Sequence, residues 1–399
     1  MSPAASAESG EWQTAFEARE RVQYFNNTNF DAASTVNDWL WTQRIAASAE
    51  GWIAPSVKAR LSLQSAVTSG SQTSPVDSNV LDVREAYLEF GDQGRALRIG
   101  RQELLLGSQR LVGTRDGTNV RRGWDGARLS LKAGNWQLDA IAVALVDVEP
   151  DGMFNDRADD GRLLAGLYTT GPAAIGELDF YLLYAESDDH ISIEGIADQK
   201  RYSVGLRSFG ERGSVFWNWE AIYQWGRHGD LDITAWTIAT NTGYRFASPW
   251  SPELMVSANV ASGDGTNGDH QLGTFDPLYP RGNYFSDAAI LGPANFYNVN
   301  PYISLSPSEK LTLGADVNWF WRLENEDGVY GAPGNVLRGP ERSTSDFVAM
   351  GLSAHATYQI NQHISAEIIY AHNAPGDFIQ DTGPSDPVDF LELTLRFKF

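Results

Sequence analysis

Apolar and polar side chains alternate with a period of two along nearly the whole chain. The closing segment shows it best. Leu391, Leu393, Leu395, Phe397 and Phe399 fall on one face; Phe390, Glu392, Thr394, Arg396 and Lys398 fall on the other. The same alternation sets Val57, Ala59, Leu61 and Leu63 against Lys58, Arg60 and Ser62, and Tyr202, Val204 and Leu206 against Arg201, Ser203 and Arg207. It recurs from Leu311 to Trp321, against Thr312, Asp316, Asn318 and Arg322. A period of two marks strands whose faces meet different surroundings. No comparable helical stripe is present. The pattern predicts about 18 strands, each near the ~10 residues that a tilted strand needs to cross a bilayer. Approximate centres are Ala18, Thr42, Arg60, Ala86, Arg98, Arg128, Ile141, Gly166, Tyr181, Val204, Trp219, Ala239, Val256, Tyr302, Ala315, Gly351, Ile368 and Leu395.

The connections alternate short and long. Short ones include Gly91–Gly94, Ala133–Asn135, Gly171–Gly176, Gly210–Gly213, Ser248–Pro252, Pro307–Glu309 and Asn361–Gln362. Long ones include Gln102–Gly123, Asp147–Asp160, Glu186–Gln199, Ser262–Ala294, Leu323–Ser345 and Asn373–Pro387. A bacterial outer-membrane barrel sorts its loops this way, with tight periplasmic turns and long extracellular loops. An even strand number then puts both termini on the periplasmic side. Aromatics near strand ends, such as Trp39, Trp41, Trp217, Trp219, Trp319, Trp321, Tyr358 and Phe397, suit interfacial girdles. The predicted fold is therefore all-β: one transmembrane antiparallel barrel over residues 11–399, preceded by a flexible tail at residues 1–10. A soluble β protein with these apolar faces would expose a belt far larger than the usual few hundred Å².

Composition narrows the class further. The 399 residues include no cysteine, which removes thiol catalysis, disulfide scaffolds and zinc–cysteine clusters. No apolar run reaches the about 18 residues of a membrane helix. The net charge of -21 argues against nucleic acid as a partner. Most of that charge sits in the long loops, whereas the polar strand faces are rich in arginine and lysine. No apolar signal segment opens the chain, which fits either a cytoplasmic protein or a mature form whose signal was removed on export; the barrel pattern favours the second, and Ala5-Ser6-Ala7 fits the small-residue pattern left by such cleavage.

A barrel of this size encloses a water-filled lumen. The alternation points Arg19, Arg21, Arg44, Lys58, Arg60, Arg98, Arg128, Arg201, Arg207, Arg245, Arg322, Arg396 and Lys398 inward. It also points Glu17, Glu85, Glu89, Asp139, Glu220, Asp316, Glu367 and Glu392 inward. Guanidinium stays charged and offers a planar fork that matches carboxylates. Rings of such groups select anions if binding stays weak enough for release. The competing reading is that each inward arginine pairs with an inward carboxylate and braces the wall.

The run from Gly100 through Gly113, Gly100-Arg101-Gln102-Glu103-Leu104-Leu105-Leu106-Gly107-Ser108-Gln109-Arg110-Leu111-Val112-Gly113, continues through Arg115, Arg121, Arg122, Trp124 and Arg128. It resembles the alginate-export family of outer-membrane porins. Asp276-Pro277-Leu278-Tyr279-Pro280, the stretch Trp319 to Tyr330, and Asn373-Ala374-Pro375-Gly376-Asp377-Phe378 carry the resemblance across most of the chain. The resemblance implies an 18-stranded barrel in a Gram-negative outer membrane, monomeric, with an arginine-lined constriction that passes an anionic uronate polymer. The chain is shorter than the characterised exporter, which implies different loop lids. The family-like segment adds Arg101, Arg110, Arg115, Arg121 and Arg122 to the candidate set. Its long, glycine-rich, basic loop is suited to fold into the lumen and set the constriction.

The expected function is passive diffusion of anionic solutes: sugar acids, or uronate oligo- and polysaccharides such as alginate. The expected partners are outer-membrane lipid and lipopolysaccharide, and no cofactor or metal is implied. The alternatives are a receptor or adhesin, or a barrel enzyme, with a non-conducting lumen. Six histidines, His190, His228, His270, His355, His363 and His372, sit in no nucleophile elbow or zinc motif. His355 and His363 are expected to line the lumen from adjacent strands. Asp147-Val148-Glu149-Pro150-Asp151-Gly152 starts like a calcium loop, but Ala158 stands where the closing glutamate is needed.

Overall fold

The computed structural model describes residues 12–33, 38–70, 76–332, 334–340 and 343–399, with the backbone alone at residue 38. The tail at residues 1–10, with Ala5-Ser6-Ala7, lies outside the described residues. The strands are β1 (Trp12–Phe25), β2 (Asp38–Ala54), β3 (Val57–Ser69), β4 (Asn79–Gly91), β5 (Arg95–Gln102), β6 (Trp124–Ala133) and β7 (Trp136–Asp147). There follow β8 (Arg157–Pro172), β9 (Glu177–Ser192), β10 (Gly195–Arg212), β11 (Val215–His228), β12 (Leu231–Arg245), β13 (Glu253–Ala261) and β14 (Gln271–Leu272). Last come β15 (Phe296–Ser308), β16 (Leu311–Trp321), β17 (Val329–Tyr330), β18 (Val336–Arg338), β19 (Phe347–Gln359), β20 (Ile364–Pro375), helix α1 (Asp377–Thr382) and β21 (Val388–Lys398).

Three of these, β14, β17 and β18, belong to loops. The other 18 form one antiparallel sheet in which each strand pairs with its neighbour. The sheet closes where β1 meets β21, with Ala18 opposite Phe397 and Val22 opposite Leu393. Closure leaves no strand edge, as a bilayer requires of any β structure. Each strand centre read from the alternation falls inside a barrel strand.

The apolar face points away from the barrel. Leu61, Ile99, Leu167, Leu182, Leu206, Ile238, Val256 and Leu393 are all exposed on it. The enclosed apolar side chains are different ones. Leu104, Val112, Trp124, Phe275, Phe296, Phe320, Phe378 and Phe390 form a buried cluster that fastens the inward loops to the wall. Helix α1 belongs to this cluster: Phe378 and Ile379 are fully buried, and the Arg322 guanidinium sits 4.2 Å above the Phe378 ring.

Two expectations are corrected. The long loop at Glu186–Gln199 is instead a tight turn at Ile193 and Glu194, because β9 and β10 continue to the pair Gly195–Ser192. Above the lipid neither face must be apolar, so the hydrophobic alternation fades while the backbone ladder goes on. His363 lies in the turn before β20, not on a strand; its ring meets the Lys398 carbonyl at 2.9 Å and stacks on Phe399. His355 does sit on the inward face of β19, stacked with Tyr302.

Candidate functional site

The polar faces of the strands build a ladder of ion pairs around much of the lumen. Neighbouring strands place Arg60 against Glu85 at 2.7 Å, Arg98 against Glu89 at 2.7 Å and Arg128 against Asp139 at 3.0 Å. They also place Arg207 against Asp179 at 2.7 Å, Arg21 against Glu392 at 3.2 Å and Arg396 against Glu367 at 3.4 Å. Cross-strand side chains on one face lie close enough that opposite charges pair readily.

Two loops enter this lumen and meet. The first, residues 103–123, touches opposite sides of the ring. Toward β11, the Ser108 hydroxyl donates to Glu220, and Arg110 lies 3.2 Å from the same carboxylate. Toward β1 and β2, Arg19 donates to the carbonyls of Asp116 at 2.9 Å and Thr118 at 2.7 Å, and Arg44 meets Asp116 at 2.6 Å. Asn119 donates to the carbonyls of Gln43 at 3.0 Å and Asp77 at 2.9 Å. Gly107 adopts φ 50° with its Cα against Tyr168; an added Cβ would sit 2.2 Å from the tyrosine hydroxyl, so only glycine fits this bend.

The second loop, residues 262–295, runs beside the first. Val112 and Tyr279 form a parallel bridge, with Gly113 donating to the Tyr279 carbonyl at 2.9 Å and Tyr279 to the Leu111 carbonyl at 2.8 Å. Arg281 donates through its backbone to the Gln109 carbonyl at 3.1 Å. Arg122 clamps the crossing: its guanidinium donates to the carbonyls of Gly113 at 3.0 Å, Pro280 at 3.1 Å and Tyr279. The same group sits 5.5 Å over the Tyr279 ring, whose edge meets Trp124 at 4.7 Å. The far end is held by Asp276, which accepts from Gln199 at 2.8 Å and faces Arg201 at 3.7 Å and His190 at 3.6 Å.

Burial and charge act in opposition on the loop groups. Burial raises the Asp116 carboxyl, but Arg44 and Arg121 outweigh it and hold it well below the usual carboxylate range. Asp276 is held low in the same way by His190 and Arg201. Burial pushes the Arg115 guanidinium down, with Asp77 opposing; burial and then Arg115 push Arg122 down. Both stay cationic, since guanidinium is not deprotonated in proteins. They are positive charges held in place against a cost, with no carboxylate within ion-pair distance among the described residues.

The candidate arginines thus divide. Arg21, Arg44, Arg60, Arg98, Arg101, Arg110, Arg121, Arg128, Arg201, Arg207 and Arg396 each meet a carboxylate. Arg19, Arg122 and Arg322 are held by backbone carbonyls. Arg115 has a buried Nε without a partner among the described residues, and Lys398 sits exposed at the periplasmic rim. Charge alternation alone missed Glu103, which ties Arg84 to Arg121, and Arg281 and Tyr284 of the second loop. It also missed a row of inward asparagines, whose only signal is their strand parity.

For the enzyme alternative, the described residues hold one serine–histidine contact, Ser192 Oγ to His228 Nε2 at 3.0 Å. The carboxylate of that region, Asp276, faces His190 instead. No cluster of three or more metal-ligating side chains occurs among the described residues.

A model of the alginate export family matches residues 11–389. No curated protein matches by sequence. Among solved structures, Pseudomonas aeruginosa OccK2 (OpdF) in complex with glucuronate superposes with a TM-score of 0.67 at 12% identity, covering 98% of this chain and 98% of that one. Pseudomonas aeruginosa OpdQ superposes at 0.68 with 11% identity, covering 98% and 99%. Acinetobacter baumannii OccAB4 superposes at 0.66 with 12% identity, covering 98% and 99%. These likenesses extend over the whole barrel. With the family match across nearly all of its length and the closed lumen around two inward loops, the chain belongs to the alginate export family and is a porin-like channel of the bacterial outer membrane.

Proposed function

We propose that the channel passes anionic solutes by passive diffusion, with sugar acids and uronates as its substrate class. The observation that carries this reading is the unneutralised charge at the loop crossing. Arg115, Arg122 and Arg281 stand there without a carboxylate within ion-pair distance among the described residues, whereas most of the wall arginines meet a carboxylate, Arg19 and Arg322 being held by backbone carbonyls instead. A paired arginine presents little net field to a passing solute. An unpaired one in a confined lumen attracts anions, because salt screening acts over about 8 Å and leaves the crossing largely unscreened. The glucuronate complex of OccK2 is consistent with this substrate class. The lumen is enclosed by one chain, so a single copy suffices for conduction.

The test is the reversal potential of the refolded protein in a planar bilayer under a potassium chloride gradient. Anion preference is expected, and Arg115→Gln with Arg281→Gln is expected to reduce it. Cation preference in the unaltered channel would refute the proposal.

A further inference from the structure

One sector of the lumen wall is built differently from the rest. The inward positions of β12, β13 and β15, between the rims, include Asn241, Ser257, Asn259, Asn298 and Asn300 and carry no charge. The nearest charges on these strands, Arg245 and Glu253, pair with each other at the periplasmic rim at 2.9 Å. The amides form a row. Asn218 stands opposite Asn241, Asn259 opposite Asn298, and Ser257 opposite Asn300. Asn259 donates to Asn298 at 2.8 Å, and Asn298 donates to Asn318 at 2.8 Å.

The row is not saturated. Asn259 is 8% exposed, and its buried Oδ1 has no partner among the described residues. Asn300 donates to Asp316 at 2.7 Å and to the Val317 carbonyl at 3.0 Å, and its amide oxygen accepts no hydrogen bond from the described residues. The Asn241 amide makes no hydrogen bond with the described residues. A cavity of about 190 Å³ separates this row from Arg281 and Tyr284 of the second loop. Arg281 lines that space, and among the described residues its side chain meets only the Tyr284 carbonyl, at 3.4 Å.

We infer that this amide row recognises the hydroxyls of a sugar acid whose carboxylate faces Arg281. The inference rests on the anion-channel reading and adds to it a basis for choosing among anions of equal charge. An amide donates and accepts, as a hydroxyl does, and is neutral. The paired wall arginines are neutralised by carboxylates, and a guanidinium donates but cannot accept. Each neutral hydrogen bond is worth only about 0.5–1.5 kcal/mol net, so several in series discriminate without trapping the solute.

The experiment compares current block by glucuronate with block by cyclohexanecarboxylate, a ring acid of the same charge without hydroxyls. In the unaltered channel glucuronate is expected to block at a concentration roughly five- to tenfold lower, the equivalent of one to two neutral hydrogen bonds. Asn241→Leu, whose amide braces nothing, is expected to lower that ratio. Asn259→Ala with Asn300→Ala is expected to bring it close to one. The reversal potential in potassium chloride stays unchanged in both, because no charge is altered. Equal block by the two acids in the unaltered channel would overturn the inference and leave the anion-channel reading standing. So would a ratio that neither variant moves. A cation-preferring channel whose glucuronate preference still disappears in the amide variants would retain the row as a hydroxyl site and refute the anion reading alone.

Discussion

Replacing Arg122 with alanine should release the loop crossing without disturbing the barrel. The side chain contributes hydrogen bonds to three carbonyls, on Gly113, Tyr279 and Pro280, and stacks on Tyr279. Hydrogen bonds to a charged group are worth about 1.5–3 kcal/mol each. One nitrogen with two hydrogens serves all three carbonyls, and the freed carbonyls sit beside a wet lumen and regain water, so the loss is set at two bonds at the lower bound, about 3 kcal/mol for the clamp. That is roughly a 150-fold shift toward undocked loops, at tenfold per 1.4 kcal/mol. The backbone bridge between Val112 and Tyr279 remains, which is why the crossing loosens but does not unfold. The assay is single-channel recording, where the variant should flicker between the native conductance and a larger one. The native contacts to all three carbonyls use one nitrogen, so Arg122→Lys, which keeps a single donating cation but loses the planar group over Tyr279, should flicker less than Arg122→Ala. The barrel's thermal transition should stay put, since no wall pair is touched. A quiet Arg122→Ala channel of native conductance would refute the clamp.

Other consequences follow from the same geometry. Burial, with Asp327, Glu194 and Asp269 adding to it, pushes the Asp264 carboxyl up to about 6 at the outer end of the second loop. A raised folded-state value favours the protonated form, so this contribution is fully present below the ordinary carboxylate range and is lost as pH rises through about 6. Asp264→Asn should therefore stabilise loop docking at pH 7 by about 1–2 kcal/mol after screening, and protease protection of the loop should lose its pH dependence. Arg44 is buried between Glu17 at 2.9 Å and Asp116 at 2.6 Å; Arg44→Ala should cost about 2–4 kcal/mol in urea refolding, partly recovered by Glu17→Gln. Leu206 faces lipid near the middle of β10, so Leu206→Arg should cost about 2–4 kcal/mol in refolding into bilayers, whereas Leu206→Phe should be close to neutral.

The barrel was legible because a membrane strand must satisfy two solvents at once. Lipid on one side and water on the other impose a strict period of two, and Leu391 to Phe399 records it residue by residue. That constraint ends where the lipid ends. The outer halves of β9 and β10 read as a loop, since only the backbone ladder, which has no side-chain signature, continues there.

The site was legible in part. The period put Arg21, Arg60 and Arg128 on the polar faces of their strands, but no pattern states which carboxylate each one meets. Pairing depends on cross-strand register, set by the turns and the tilt of the whole ring. The run from Gly100 to Trp124 pointed to the loop at residues 103–123. That it crosses the lumen and clasps a segment about 160 positions later, through Arg122 and Tyr279, is decided by closure of the barrel around both. The asparagines of β12, β13 and β15 show the same division. Their parity places each of them inward, but only the closed sheet sets them side by side across from Arg281. The sequence by itself thus determined what faces lipid and what faces water, because those are properties of one strand. The tertiary structure decided which charges cancel and which remain available to a solute, because that requires strands and loops far apart in the chain to meet.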